Sequence, residues 1–336
     1  QNDNSANSQN DTSVTLSGAK GLASASQDNS NTNPENIAIA YAYNSPDYNY
    51  HTKIEIQQDA VSGSSALTNF PIALTLTDAR FKTEANGGNI ENTTTGGASG
   101  SVTVPADFTV SPNPDGSNPY DFEIVSYTAS TGAIELWVEV SSVAYDADTP
   151  IYLVYGDNGV TTSQEDVSGT WGNGFEGVWH LGESSSPIYD SSGNISSTSE
   201  SGSPAYSQTG EIGDATDFDD TSNDYFDFGD NLDVANITIM AFANPNTVTD
   251  SSYILAKHDD DSVNQRSYSL NVNSSEEDFS FLVSVDGQWG AGHATSVRTS
   301  TAMTVGTWYH TTATYDGTDA KIYLNGTLKD TDGSVS

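Results

Sequence analysis

Between residues 174 and 183 the chain reads GFEGVWHLGE, two large aromatics, a histidine and a glutamate set between glycines. In a pocket, His180 would serve as a general base and Glu183 as a general acid. The same letters also fit a strand, with Val178 and His180 on one face and Trp179 and Leu181 on the other. A second carboxylate pair, Glu135 and Glu139, flanks Trp137 in ELWVE. Retaining glycoside hydrolysis needs two carboxyl groups about 5–5.5 Å apart, but this spacing suits a solvated strand face equally well. No Gly-x-Ser-x-Gly elbow occurs, so the many serines read as surface and turn residues.

Hard oxygen ligands cluster at Asp217, Asp219, Asp220 and Asp224, just after Asp214, and again at Asp259, Asp260 and Asp261. Calcium takes roughly six to eight such ligands, which makes calcium the candidate cofactor and the first cluster its candidate site. No segment carries the helix–loop–helix calcium signature. The five histidines are scattered and cysteine is absent, which removes thiol catalysis, zinc–thiolate sites and disulfides. Exposed aromatics stack on sugar rings. Trp289, in the glycine-rich DGQWGAGH, is the first candidate and Tyr189 the second, with Tyr206 weaker. Trp137, Trp179 and Trp308 lie in strand-like runs and read as core.

The elements that must position these residues are strands. From residue 50 to 155 the runs HTKIEIQ, FPIALTLTD, SVTVPADFTV, YDFEIVSYT, AIELWVEV and PIYLVYGD alternate or carry β-branched and aromatic residues, with Gly, Pro, Asn and Asp between them. A second block contains DYFDFGD, NITIMAFANP, SYILAKHD, SYSLNVN, FSFLVSVDGQW, GTWYHTTATYDG and AKIYLNGTLK. The last two predict a hairpin about Asp316-Gly317. No run keeps a helical period for three turns. The pattern predicts an all-β protein of two antiparallel β-sandwich domains, at 47–160 and 174–336, joined by a linker at 161–173 and preceded by a polar arm at 1–46.

LTNFPIALTLTDARF, YDFEIVSYTASTGAIELWVEVSSV and TPIYLVYGDNG resemble a surface-protein domain of unknown function found in bacteria and archaea. GVWHLGESSSPIYDSSGN, GEIGDATDFDDTSNDYFDFGD, TIMAFANP and GTWYHTTATYDGTDAKIYLNGTLKDT resemble, in order, a concanavalin A-like jelly roll of the laminin-G type. The resemblance spans about residues 48–336 and implies an extracellular protein at a cell surface or in a matrix. It implies that VWHLGE opens the second domain as a strand rather than lining a catalytic pocket. Sugar-cleaving relatives carry Glu-x-Asp-x-Glu on one strand face. The nearest approach here is Glu276-Glu277-Asp278 with Ser280 beyond, so the chain is expected not to be an enzyme. Such jelly rolls bind sugars, proteins or calcium, or act as spacers.

The 336 residues include 9 basic and 46 acidic ones, a formal charge of −37. That surface repels nucleic acid and anionic lipid and suits high salt, where screening weakens self-repulsion. No apolar run reaches the roughly 20 residues of a membrane helix, so no membrane insertion is expected. The chain opens on Gln1 rather than Met and reads as a mature chain after signal removal. Asn-x-Ser/Thr sequons at Asn10, Asn92, Asn194, Asn236, Asn273 and Asn325 permit glycosylation.

Within the arm, NIAIAYAY at 36–43 places Ile37, Ile39, Tyr41 and Tyr43 on one bulky strand face, and SVTLSG at 13–18 is a weaker strand. The jelly roll is expected to lack its last strands, since family members continue past the IYLNG strand. A spare strand at one end and a gap at the other predict strand addition between copies, hence a filament. The competing expectation is an adhesion module whose loops bind glycans or surface proteins. Alternatively, the arm pairs within its own chain.

Overall fold

The computed structural model describes residues 48–248, 252–259, 265–288 and 292–333, together with the backbone of 12–14 and 25–28. Two compact units result. Of the described residues, 12–14, 25–28, 48–219 and 223–228 belong to one, and 220–222 and those from 229 on to the other.

The first unit begins with β1 (Thr12–Val14), β2 (Ala25–Asp28), β3 (Tyr50–Ile56), β4 (Leu67–Thr77), β5 (Thr93–Gly96), β6 (Val102–Pro105), β7 (Phe108–Ser111), β8 (Phe122–Thr128), β9 (Ala133–Val143) and β10 (Thr149–Tyr155). One sheet runs β1-β2-β3-β10-β7 and another β4-β9-β8, with β5 and β6 as a separate ribbon, all antiparallel. Strand alternation turns Ile54, Ile56, Ile151, Leu153, Phe108 and Val110 toward Ile72, Leu74, Phe122, Ile124, Leu136 and Val138, all buried in one cluster. Each such side chain contributes about 1.5–3 kcal/mol by leaving water. Pro71 sits within β4, which pairs only with β9; a missing N–H is tolerated on an edge strand. Gly132 turns β8 into β9 at φ 72°, and a Cβ there would lie 2.0 Å from the Asp78 carbonyl oxygen.

SVTVPADFTV is not one strand. It breaks at Ala106-Asp107 because the buried Asp107 carboxylate accepts the backbone N–H groups of Glu91, Asn92 and Gly156 at 2.9, 3.1 and 3.2 Å. The arm's β2 pairs with β3 of its own chain, and β1 with β2. The candidate donor strand, with Ile37, Ile39, Tyr41 and Tyr43, lies outside the described residues.

The expected linker at 161–173 is not a linker. Glu165 accepts from the backbone of Ile124 at 2.7 Å, the single turn α1 (Val167–Thr170) is capped by Asp166 at 2.7 Å, and Trp171 is buried. The unit continues through short strands, β11 (Ser199–Ser201), β12 (Ala205–Thr209), β13 (Asp214–Asp217) and β14 (Tyr225–Asp227), paired β11-β14 and β12-β13. VWHLGE is not a strand either. Residues 172–198 carry no strand, and Leu181 turns at φ 58°.

The second unit contains β15 (Ile237–Ala243), β16 (Ser252–Asp259), β17 (Gln265–Asn273), β18 (Asp278–Ser284), β19 (Ala294–Arg298), β20 (Tyr309–Tyr315), β21 (Ala320–Leu324) and β22 (Thr327–Asp332). They form two antiparallel sheets, β15-β20-β21-β22 and β16-β17-β18-β19. Ile239, Ala313, Tyr315, Ile322 and Leu324 share one buried cluster with Tyr268, Leu270, Phe279, Phe281, Val283 and Val297. β20 and β21 pair across the expected turn at Asp316-Gly317, where the Asp316 carboxylate accepts from Thr318 and Asp319. Among the described residues no helix is long and apolar enough to cross a membrane.

Candidate functional site

The GFEGVWHLGE stretch finds its partner on β8, far away in sequence. Phe122 and Ile124 face the core, so Glu123 points to the other face of the β4-β9-β8 sheet, level with Trp137 on β9 and Ala73 on β4. Its carboxylate is nonetheless buried. Residues from the irregular stretch after α1 cover it and donate to it: Trp171 Nε1 at 2.7 Å and Ser191 Oγ at 2.7 Å, with His180 Nε2 at 3.0 Å. His180 stacks on Trp137, with ring centroids 6.1 Å apart, while Trp171 lies 5.3 Å from Trp137 and 5.1 Å from Phe175. Burial pushes the Glu123 carboxyl up. The hydrogen bond and charge of His180, joined by Trp171 and Ser191, overcome it and hold the carboxyl below its ordinary value.

The chemistry of this arrangement is that of a clasp. Ser191 donates to Glu123 rather than to His180, so no serine–histidine relay forms. The next turn is fixed by Asp190, whose carboxylate accepts from the backbone of Val178, Ser192, Asn194 and Ile195 at 2.7–3.0 Å. Glu183 accepts from the Tyr189 backbone at 2.8 Å, and its Oε2 is buried with no hydrogen-bond partner. No hydrogen bond joins it to His180 among the described residues. Tyr189 is half-buried, and Trp289 lies outside the described residues. Glu135 accepts from Ser126 and Glu139 from Asn173, both on the outer face of β9.

Among the described residues no group of three or more His, Cys, Asp or Glu side chains could hold a metal ion. Asp224 is used otherwise: its two oxygens accept from the backbone N–H groups of Ser203 at 2.7 Å and Asp219 at 2.9 Å. Asp217 ends β13, while Asp219 and Asp220 enter a short turn. The side chain of Asp220, the remaining member of the expected calcium cluster, lies outside the described residues.

The sequon asparagines differ in surroundings. Asn10 lies outside the described residues. The Asn92 amide is held by the carbonyls of Asn158 and Val160 at 3.1 and 2.9 Å. Asn194 is exposed with its amide on Phe175 and Ser192; Asn273 caps Ser275; Asn236 and Asn325 are exposed, the latter accepting from His310 N.

In the second unit, Thr238, Met240 and Phe242 of β15 face outward with His310, Thr312 and Thr314 of β20 and Lys321 and Tyr323 of β21. Met240 is 52 % exposed and Leu328, paired with Tyr323, 49 %. The other sheet presents Tyr253, Asn271, Ser280 and Arg298 in one cross-strand row. Ser280 donates to Asn271 at 3.0 Å, and Arg298 binds the buried Asp278 at 3.0 Å. Sequence reasoning missed His310 and Asn244, each with one buried, unpartnered polar atom. The local signal was a polar residue in the otherwise apolar-and-threonine run of β20.

Residues 220–336 match the family model of the concanavalin A-like lectin/glucanases superfamily, of the laminin-G type. The match begins where the second compact unit begins to gather its residues. No curated protein matches the chain. No solved structure matches it either.

Proposed function

We propose that the chain is a non-enzymatic binding module of a cell surface or extracellular matrix, whose second unit recognises a glycan or a protein ligand. The observation that carries this reading is the superfamily match over 220–336, falling on a two-sheet antiparallel sandwich whose outward rows mix aromatic, apolar and hydroxyl side chains. The absence of catalysis is supported by how the acids are used. Asp278 is tied to Arg298 and to the Ser300 backbone, the residue two further on is Ser280, and His180 is engaged by Glu123. The charge of −37 favours neutral or basic partners over nucleic acid.

Assembly of copies into filaments by strand addition has no support from the described part of the arm, which pairs within its own chain. A glycan array and a reducing-sugar release assay on the same preparation test the reading. Binding without release is expected. Turnover of any bound glycan, or a lack of every glycan and protein ligand, would overturn it.

A further inference from the structure

Five Asn-x-Ser/Thr sequons fall on described residues, at Asn92, Asn194, Asn236, Asn273 and Asn325. The packing sorts them by what each amide nitrogen already does. A primary amide has two N–H donors and one acceptor oxygen. Asn92, in the first unit, spends its nitrogen on two carbonyls, Asn158 at 3.1 Å and Val160 at 2.9 Å, and so ties the chain after β10 to the entry of β5. Asn194 Nδ2, also in the first unit, donates to the Phe175 carbonyl at 3.3 Å and to Ser192 Oγ at 3.2 Å. In the second unit the amides turn the other way. Asn325 lies in the β21–β22 turn at φ 48°, and its Oδ1 accepts from the His310 backbone N–H at 3.0 Å. Asn273 ends β17, and its Oδ1 accepts from the Ser275 backbone N–H at 3.0 Å. A backbone N–H can face only the oxygen of an amide, so each of these bonds identifies the other terminal atom as nitrogen. Among the described residues the nitrogens of Asn273 and Asn325 donate to nothing, and the exposed Asn236, next before β15, makes no side-chain hydrogen bond.

Resting on the extracellular part of the binding-module reading, we propose that Asn236, Asn273 and Asn325 of the second unit are the sites of covalent N-glycosylation, and that Asn92 and Asn194 of the first unit stay bare. In the transfer, a bond forms between Nδ2 and the anomeric carbon of a glycosyl pyrophosphate donor. The bond from that carbon to the pyrophosphate oxygen breaks, pyrophosphate leaves with the electron pair, and the nitrogen gives up one of its two protons. A modified amide therefore keeps a single N–H and its acceptor oxygen. That suffices at Asn273 and Asn325, where the fold uses the oxygen alone. It fails at Asn92, where a sugar on the nitrogen would take the place of a proton that a carbonyl needs and leave that carbonyl without its donor. The hydroxyl residues of the three chosen sequons, Thr238, Ser275 and Thr327, are all exposed. The three asparagines stand at strand ends, so attached sugars project from the ends of the ladders.

The test is glycopeptide mapping by tandem mass spectrometry on the protein purified from the cells that make it. Sugar-bearing peptides are expected at Asn236, Asn273 and Asn325, and unmodified peptides at Asn92 and Asn194. Thr238→Val, Ser275→Ala and Thr327→Val, expressed in the same cells, each break one sequon and leave its asparagine in place. Each variant should lose the sugar at its own site and keep the other two. Asn92→Gln should change no glycopeptide and lower Tm by about 4 °C, since two carbonyls lose their donor. A sugar on Asn92 or Asn194 overturns the assignment, as do bare peptides at the three proposed sites or sugars that persist there after the hydroxyl residue is removed. Ligand binding measured on the same preparation decides the binding-module reading separately, because a bare chain can still bind and a glycosylated one can fail to.

Discussion

Removing the Glu123 side chain should damage the first unit more than any surface change. In Glu123→Ala the Trp171 indole N–H and the Ser191 hydroxyl lose a charged acceptor, and His180 loses its hydrogen-bond partner between two tryptophans. Leaving two buried donors without an acceptor costs about 1–3 kcal/mol each. For a unit of this size each kcal/mol moves Tm by about 2–4 °C, so a fall of about 10 °C is expected. The sign with pH follows from the carboxyl being held below its ordinary value of 4.5. Its contribution is fully present above that pH and is lost as pH falls through the lower folded value. Urea denaturation followed by tryptophan fluorescence, at pH 7 and across the acid range, measures both effects. Glu123→Gln, which keeps the shape and one acceptor, should lose less at pH 7 and lack that group's acid dependence. A loss below about 1 kcal/mol in Glu123→Ala, or unchanged acid sensitivity in Glu123→Gln, would refute the clasp.

Asp190→Ala should cost about 2–4 kcal/mol, since four backbone N–H groups lose their acceptor, with Asp190→Asn in between; equal losses in urea titrations would contradict this. Asp224→Ala should cost about 1–2 kcal/mol alike in calcium and in chelator, as its oxygens serve Ser203 and Asp219. A calcium-dependent Tm in the wild type that vanishes in the variant would instead make Asp224 a metal ligand. With 46 acidic against 9 basic residues, raising NaCl from about 0.05 M to about 1 M should raise Tm, because screening relieves more repulsion than it weakens attraction; a falling Tm in scanning calorimetry would count against it.

The strands were legible because alternation is local: Ile54 and Ile56, or Leu136 and Val138, announce their shared face within a few residues. The hairpin at Asp316-Gly317 was legible for the same reason. VWHLGE misled because an irregular segment laid across a sheet also needs large apolar residues at short intervals. Whether those residues pair in a ladder or rest on another strand's outer face depends on Glu123, which no local pattern connects to His180. The stretch 161–173 misled through composition. Small polar residues there look like a tether, yet Glu165 and Asp166 spend their carboxylates on backbone N–H groups and fix the turns. Asp224 shows the same ambiguity, since a carboxylate in a loop is as useful to the loop as to an ion. His310 stood out locally only as a polar residue in β20, and it takes the packing to show that its Nδ1 is buried without a hydrogen-bond partner.

The covering stretch that follows α1 has a practical corollary for anyone dividing this molecule. A fragment ended at about residue 160 would keep every long strand of the first unit and still be crippled. A glutamate meant to be dry and the broad face of Trp137 would stand in water, ready to seize other fragments. The smallest piece worth excising runs to Phe228, because the last third of that piece is the lid its own sheet was waiting for.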